Sequence, residues 1–142
     1  MDNIHASCVS WQNKGIMLLG KSGLGKSDLC LRLIQNHKAL LVADDRVILN
    51  VSHETIVVSA PDNLKGMLEV RGVGILQAPH CDNCSLNIVV ELLPDSAAVE
   101  RFPDNDFWIY NNIKVPLIRL YAFDVSAANK IIAAVSWQKA IK

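Results

Sequence analysis

Gly20-Lys21-Ser22-Gly23-Leu24-Gly25-Lys26-Ser27 is the stretch that decides how the rest of the chain is read. It meets the pattern G-x-x-x-x-G-K-[ST] at every position. A polyphosphate needs many N–H donors pointing inward at close range. Gly20, Gly23 and Gly25 let the backbone take positive φ and remove side chains that would block that approach. A helix opening near Lys26 offers free N–H groups and the positive end of its dipole. Lys26 adds a point charge for the β- and γ-phosphates, and the Ser27 hydroxyl is placed to hold Mg²⁺. The bland alternative is a glycine-rich turn that happens to join a strand to a helix.

The flanking sequence supplies the context that the motif requires. Ile16-Met17-Leu18-Leu19 is a continuous apolar run, as expected of a strand buried on both faces. After the loop, Leu29, Leu33 and Ile34 fall at helical spacing, so a helix is predicted over Lys26–Asn36. Leu40-Leu41-Val42-Ala43 reads as a second buried strand, which makes a strand–helix–strand unit. Ile4–Trp11 is predicted to be one strand, turned at Asn13-Lys14-Gly15 into the Ile16 strand. Further strands are expected over Arg46–Val51, Thr55–Ser59, Met67–Arg71, Gly74–Gln77, Leu86–Leu93 and Val115–Tyr121. Asp95–Asp106 reads as a polar loop. Ser126–Lys139 reads as a terminal helix with Ser126 as N-cap. The fold expected is an α/β nucleotide-binding domain with a mixed, largely β central part and a C-terminal helix.

Composition bounds what such a domain can do. The chain has 142 residues, which suits one compact domain over 1–142. Hydrophobic residues make up 51% and charged residues 20%, enough apolar material for a core. Fourteen basic residues balance 14 acidic ones, with no basic stripe, which argues against nucleic acid or an anionic membrane as partner. No apolar run reaches the roughly 18 residues of a membrane span. The start, Met1-Asp2-Asn3-Ile4-His5, lacks the features of a signal peptide. The expected location is therefore the cytoplasm, with the four cysteines as thiols.

Several residues outside the loop carry chemistry. Asp44 and Asp45 close the strand after the helix, at the carboxyl end where ligands of open α/β sheets bind. One of them can serve Mg²⁺, and the other can accept a proton from an attacking hydroxyl; the bland reading is a solvated turn. Glu69 and Arg71 share one face of a strand by alternation, flanked by Gly72 and Gly74, and are either a surface ion pair or part of a site. His5, Arg101 and the Cys81-Asp82-Asn83-Cys84 pair are weak signals alone. A lone histidine is usually structural, a loop arginine ordinary, and a single C-x-x-C usually a surface loop.

Taken together, His5, Gly20–Ser27, Val42-Ala43-Asp44-Asp45 and Leu68-Glu69-Val70-Arg71-Gly72-Val73-Gly74-Ile75 resemble the catalytic domain of HPr kinase/phosphorylase. The resemblance is good from Ile4 to about Leu93 and looser beyond. It implies the nucleotide-binding fold shared with phosphoenolpyruvate carboxykinase. It also implies ATP and Mg²⁺ as cofactors, and as partner HPr, the small phosphocarrier protein that is phosphorylated on a serine. Phosphorolysis of that phosphoserine is the reverse activity of many members. Lys26 would bind phosphate, and Ser27 with Glu69 would hold the metal. Asp44 would be the base, His5 would lie beside the Asp44–Asp45 pair, Arg71 would serve the nucleotide, and Arg101 would be the catalytic arginine. Usual members carry an additional N-terminal domain and form hexamers, whereas this chain resembles the short form found in some proteobacteria. The family's late Pro-, Arg-, Gly- and Asn-rich segment for phosphorolysis is largely lost over Val115–Asp124, so the kinase direction is the firmer expectation. Two other readings stay open at this point: a small-molecule P-loop kinase, and a regulatory module that binds ATP without chemistry.

Overall fold

The computed structural model describes residues 1–141. Three two-residue turns set its local plan. Gln12-Asn13, His53-Glu54 and Asn111-Asn112 all take positive φ, between 47° and 65°. Two successive left-handed residues turn a chain in the sense of the strands' own twist, which is why such turns close hairpins. They join β2 (Ser7–Trp11) to β3 (Lys14–Leu19), β5 (Arg46–Ser52) to β6 (Thr55–Ser59), and β10 (Asp106–Tyr110) to β11 (Ile113–Leu120). The first turn is thus one residue earlier than expected, with Lys14 and Gly15 already in β3. Gly15 serves a different need, since a Cβ there would sit 2.5 Å from the Ser85 carbonyl oxygen of the neighbouring strand.

The main sheet has nine strands. With β1 (Asp2–His5), β4 (Leu40–Ala43) and β9 (Asn83–Leu92), its order is β1-β5-β6-β9-β3-β2-β4, and β11 followed by β10 branches from β9. The ten-residue β9 is the spine. Its first residues pair antiparallel with β6, its middle pairs parallel with β3, and its last residues pair parallel with β11.

Two expectations are corrected here. The single strand predicted over Ile4–Trp11 is two strands broken at Ala6. β1 pairs with β5, whereas β2 pairs with β3 and β4. The Ala6 N–H donates to the Asp45 carbonyl (3.3 Å), so the break lies against the end of β4. The strand–helix–strand unit is also opened, because β2 lies between β3 and β4, antiparallel to both.

Alternation explains the apolar run of β3. Ile16 and Leu18 enter one core with Leu29 and Leu33 of α1 (Lys26–His37) and Ile131 of α2 (Ala127–Ser136). Met17 points the other way, into a second core with Cys8, Val42, Val47, Val58 and Val89. Helix α1 ends where Lys38 takes φ 61°, and Trp11 Nε1 donates to the His37 carbonyl (3.1 Å), tying the helix end to β2. The terminal helix is shorter than predicted, stopping at Ser136, and Ser126 precedes it without a side-chain cap bond. β7 (Met67–Val70) and β8 (Gly74–Gln77) form a separate two-stranded hairpin whose first strand packs on α1.

Candidate active site

The strand β3 delivers the chain into the glycine loop, and α1 begins directly after it. Gly25, at φ 95°, precedes the first helical residue. A Cβ there would stand 3.0 Å from Ala122 Cβ and 3.0 Å from the Phe123 ring, so both conformation and space call for glycine. Lys26 is 7% exposed, and its Nζ donates to the Gly20 carbonyl (2.6 Å) and the Lys21 carbonyl (3.2 Å). Burial pulls its pKa below the ordinary lysine value, while the Asp45 and Asp44 carboxylates pull it back up. The cation is thus held inside the loop by two backbone carbonyls, with both acids near enough to act on its charge.

A cavity of about 380 Å³ opens at this helix start. Among the residues read from sequence, it is lined by Ser22, Gly23, Gly25, Lys26 and Ser27 of the loop, and by His5, Asp45, Glu69 and Arg71. These come from four separate places in the chain. β1 ends at His5, β4 ends two residues before Asp45, α1 begins at Lys26, and β7 carries Glu69 with Arg71 in the turn beyond it.

Asp44 lies at the centre of the hydrogen bonding. Its Oδ1 accepts from the Ser27 hydroxyl and from the Ser7 hydroxyl, both at 2.8 Å, and its Oδ2 accepts from the Glu69 N–H (3.3 Å). One carboxylate therefore couples the loop serine, β2 and β7. Asp45, beyond the end of β4 and at φ 70°, makes a contact of its own. Its Oδ1 pairs with His5 Nε2 at 2.9 Å.

Gly20, Lys21, Leu24 and Asp44 do not line the cavity. The first two offer carbonyls to Lys26, and Leu24 packs against the helix-side core. Arg101 is not brought in either; it is exposed in the loop after β9, with its guanidinium 5.1 Å from the centre of the Phe102 ring. Arg101 is therefore not among the described residues that line the cavity.

Further contributors escaped the sequence reading. Ser7 is fully buried, donates to Asp44 and accepts from the Asp45 N–H (3.3 Å). Leu31 and Phe123 also line the cavity.

Ser27 and Glu69 would be the metal's protein ligands. Among the described residues no three His, Cys, Asp or Glu side chains converge as a ready-made cage. A hydroxyl and a carboxylate on one cavity, with Asp44 bonded to that hydroxyl, are an all-oxygen set. That suits Mg²⁺, which keeps waters and takes phosphate oxygens as further ligands.

Three of the four cysteines lie elsewhere, at the second core, whereas Cys30 is buried in the first. Cys8 is buried in the second, and Cys81 and Cys84 pack against the same cluster. The Cys8 thiol lies within reach of both the Val9 carbonyl (3.7 Å) and Cys84. Hydrogen bonding from Cys8 holds the Cys84 thiol below its ordinary pKa; burial opposes this and Ser10 assists it. Burial pushes Cys8 and Cys30 well up and Cys81 up. Thiolate is the reactive form. A short pulse of iodoacetamide should therefore alkylate Cys84 first, as read by peptide mass. First labelling at Cys8 or Cys30 would contradict this order.

The sequence pattern of the HPr Serine kinase C-terminal domain matches residues 1–141. The HPr kinase/phosphorylase of Peptoclostridium acidaminophilum is 45% identical over 107 residues, covering 74% of this chain and 32% of that protein. That of Malacoplasma penetrans is 32% identical over 106 residues, covering 70% of this chain and 35% of that protein. The matched part is thus about a third of the length of these curated relatives. The fold matches the structure of the Hpr(Ser) kinase/phosphatase from Coxiella burnetii with a TM-score of 0.81, over 95% of this chain and 88% of that one, at 21% identity. Sequence pattern, relatives and fold agree, and the chain belongs to the HPr serine kinase family through that family's C-terminal domain.

Proposed function

We propose that this chain is an ATP- and Mg²⁺-dependent kinase that phosphorylates a serine of the phosphocarrier protein HPr, as a regulatory input to the phosphotransferase system. The observation that carries the reading is the Asp44 carboxylate bonded to Ser27 at the mouth of a loop that holds Lys26. A carboxylate at that point can take a proton from a substrate hydroxyl or position Mg²⁺ through Ser27. The loop amides and Lys26 would bind the β- and γ-phosphates, and Ser27 with Glu69 would hold Mg²⁺. When bound, that ion offsets the charge gathering on the transferring phosphoryl group. Asp44 would take the proton from the attacking serine hydroxyl, with Ser7 and the Glu69 N–H fixing its orientation. His5 would hold Asp45 in place through their direct contact.

One observation favours a second assignment of roles within the same reaction. Both oxygens of Asp44 already accept hydrogen bonds, whereas Asp45 lines the cavity itself. In that version Asp45 takes the proton and Asp44 positions Ser27.

The test incubates the protein with ATP, Mg²⁺ and HPr from the same organism, and locates added phosphate by mass. Phosphoserine on HPr supports the proposal. Its absence over long incubation, with ATP bound, rejects it. Turnover of a small metabolite without HPr would favour a small-molecule kinase instead.

A further inference from the structure

The same cavity has an apolar wall that the transfer chemistry leaves unused. Phe123 lines it and is the one aromatic among its described lining residues. The ring is 54% exposed, although water disfavours so large an apolar face. Its edge rests on the glycine loop, with Cζ and Cε1 standing 3.0 and 3.1 Å from where a Cβ of Gly25 would be. Tyr121 meets it edge-on, with ring centres 5.8 Å apart and planes at 72°.

The segment that carries the ring is tied to both neighbouring helices. Arg32 of α1 donates to the carbonyls of Ala122 and Asp124 and pairs with Asp28, itself a lining residue, at 3.1 Å. The Asp124 carboxylate accepts from Lys130 of α2 at 2.8 Å, and its N–H donates to the Tyr121 carbonyl at 3.2 Å. Phe123 is therefore presented at a set position beside the phosphate loop.

We propose that Phe123 is the stacking platform for the nucleobase of the bound nucleoside triphosphate, with Leu31 closing the apolar side. The inference rests on the nucleotide reading above. Lys26 and Ser27 fix the β- and γ-phosphates, so the far end of the molecule must place a flat heterocycle further along the cavity. An exposed ring held at fixed reach from Gly25 meets that need. Every base has a π-face, so the platform takes adenine and guanine alike, and its removal changes affinity by roughly tenfold or more.

The experiment titrates the folded chain calorimetrically, in Mg²⁺, with a non-hydrolysable ATP analogue, the matching GTP analogue, and inorganic tripolyphosphate. Phe123→Ala and Phe123→Leu should weaken both nucleotides about tenfold and leave tripolyphosphate within twofold. Phe123→Tyr should bind all three as the wild type does. Leucine keeps bulk against Gly25 without a flat face, so it separates stacking from loop support should the alanine variant unfold. Nucleotide affinity unchanged in the leucine variant overturns the proposal, as does equal loss of tripolyphosphate. A wild type that binds tripolyphosphate no more weakly than nucleotide overturns the platform and leaves the phosphate loop standing. A wild type that binds neither overturns the nucleotide reading, and the platform with it.

Discussion

Asp44→Asn should slow phosphate transfer to serine by about a thousandfold, within the range usual for removal of a general base. Asparagine has the same shape and keeps one oxygen to accept from the Ser7 and Ser27 hydroxyls, which meet Asp44 at 2.8 Å each. What it loses is the negative charge, the capacity to take a proton and the second oxygen, which accepts from the Glu69 N–H. Thermal unfolding should therefore change little while initial rates of phosphoserine formation collapse. The parallel measurement on Asp45→Asn separates the two carboxylates. If Asp44 is the base, Asp45→Asn retains far more activity, and extra Mg²⁺ does not restore the Asp44 variant. If Asp44 only positions Ser27, its loss appears as a raised Mg²⁺ requirement and the rate returns at saturating metal. A drop of less than tenfold in Asp44→Asn would remove that residue from the chemistry.

Leu18→Ala should cost about 3–5 kcal/mol of folding stability, as measured by the urea midpoint. Leu18 is fully buried in the strand that feeds the loop, in one cluster with Leu29 and Leu33 of α1 and Ile131 of α2. The loss combines the transfer energy of the missing methyl groups with the cavity left between sheet and helices. Domains of this kind are stable by only about 5–15 kcal/mol, so the variant would lose a large part of its margin. Leu40→Ala is the matched control, since Leu40 is 39% exposed at the start of the edge strand β4. A cost at Leu18 no greater than at Leu40 would mean that this layer is not packed as described.

What the sequence disclosed and what it withheld divide along a physical line. The glycine loop was legible because its requirements are local. Positive φ at Gly23 and Gly25 is written into single residues, and the helix that follows shows its own period. The hairpin around His53-Glu54 was legible because apolar runs flank it closely. Strand neighbours were not legible, because nothing local says that β2 leaves β1 at Ala6 and enters between β3 and β4. β10 went unassigned, since its DFWIY run follows a polar segment and its turn is Asn111-Asn112, without glycine. In the site, Asp44, Asp45, Glu69 and His5 carried signals through position at strand ends or family resemblance. Ser7 and Phe123 had none, because a hydroxyl in a strand and a phenyl ring in a loop acquire meaning only from what lies across space. Arg101 shows the converse. Its residue type suited a phosphate clamp, but placement depended on a loop whose path the sequence does not fix.

The spine strand has a consequence for how the protein is made. Nearly all the phosphate-binding residues lie before residue 46, yet β3, which aims them, takes its parallel neighbour from Leu86–Glu91. A nascent chain ending near Ser59 would thus already possess its lysine, serine and aspartates without the support that orders them. Pairings this distant in sequence form late, because the intervening loop must close first. The emerging polypeptide should stay unable to grip triphosphate until the ribosome has released β9, so competence arrives in one late step rather than accumulating as synthesis proceeds.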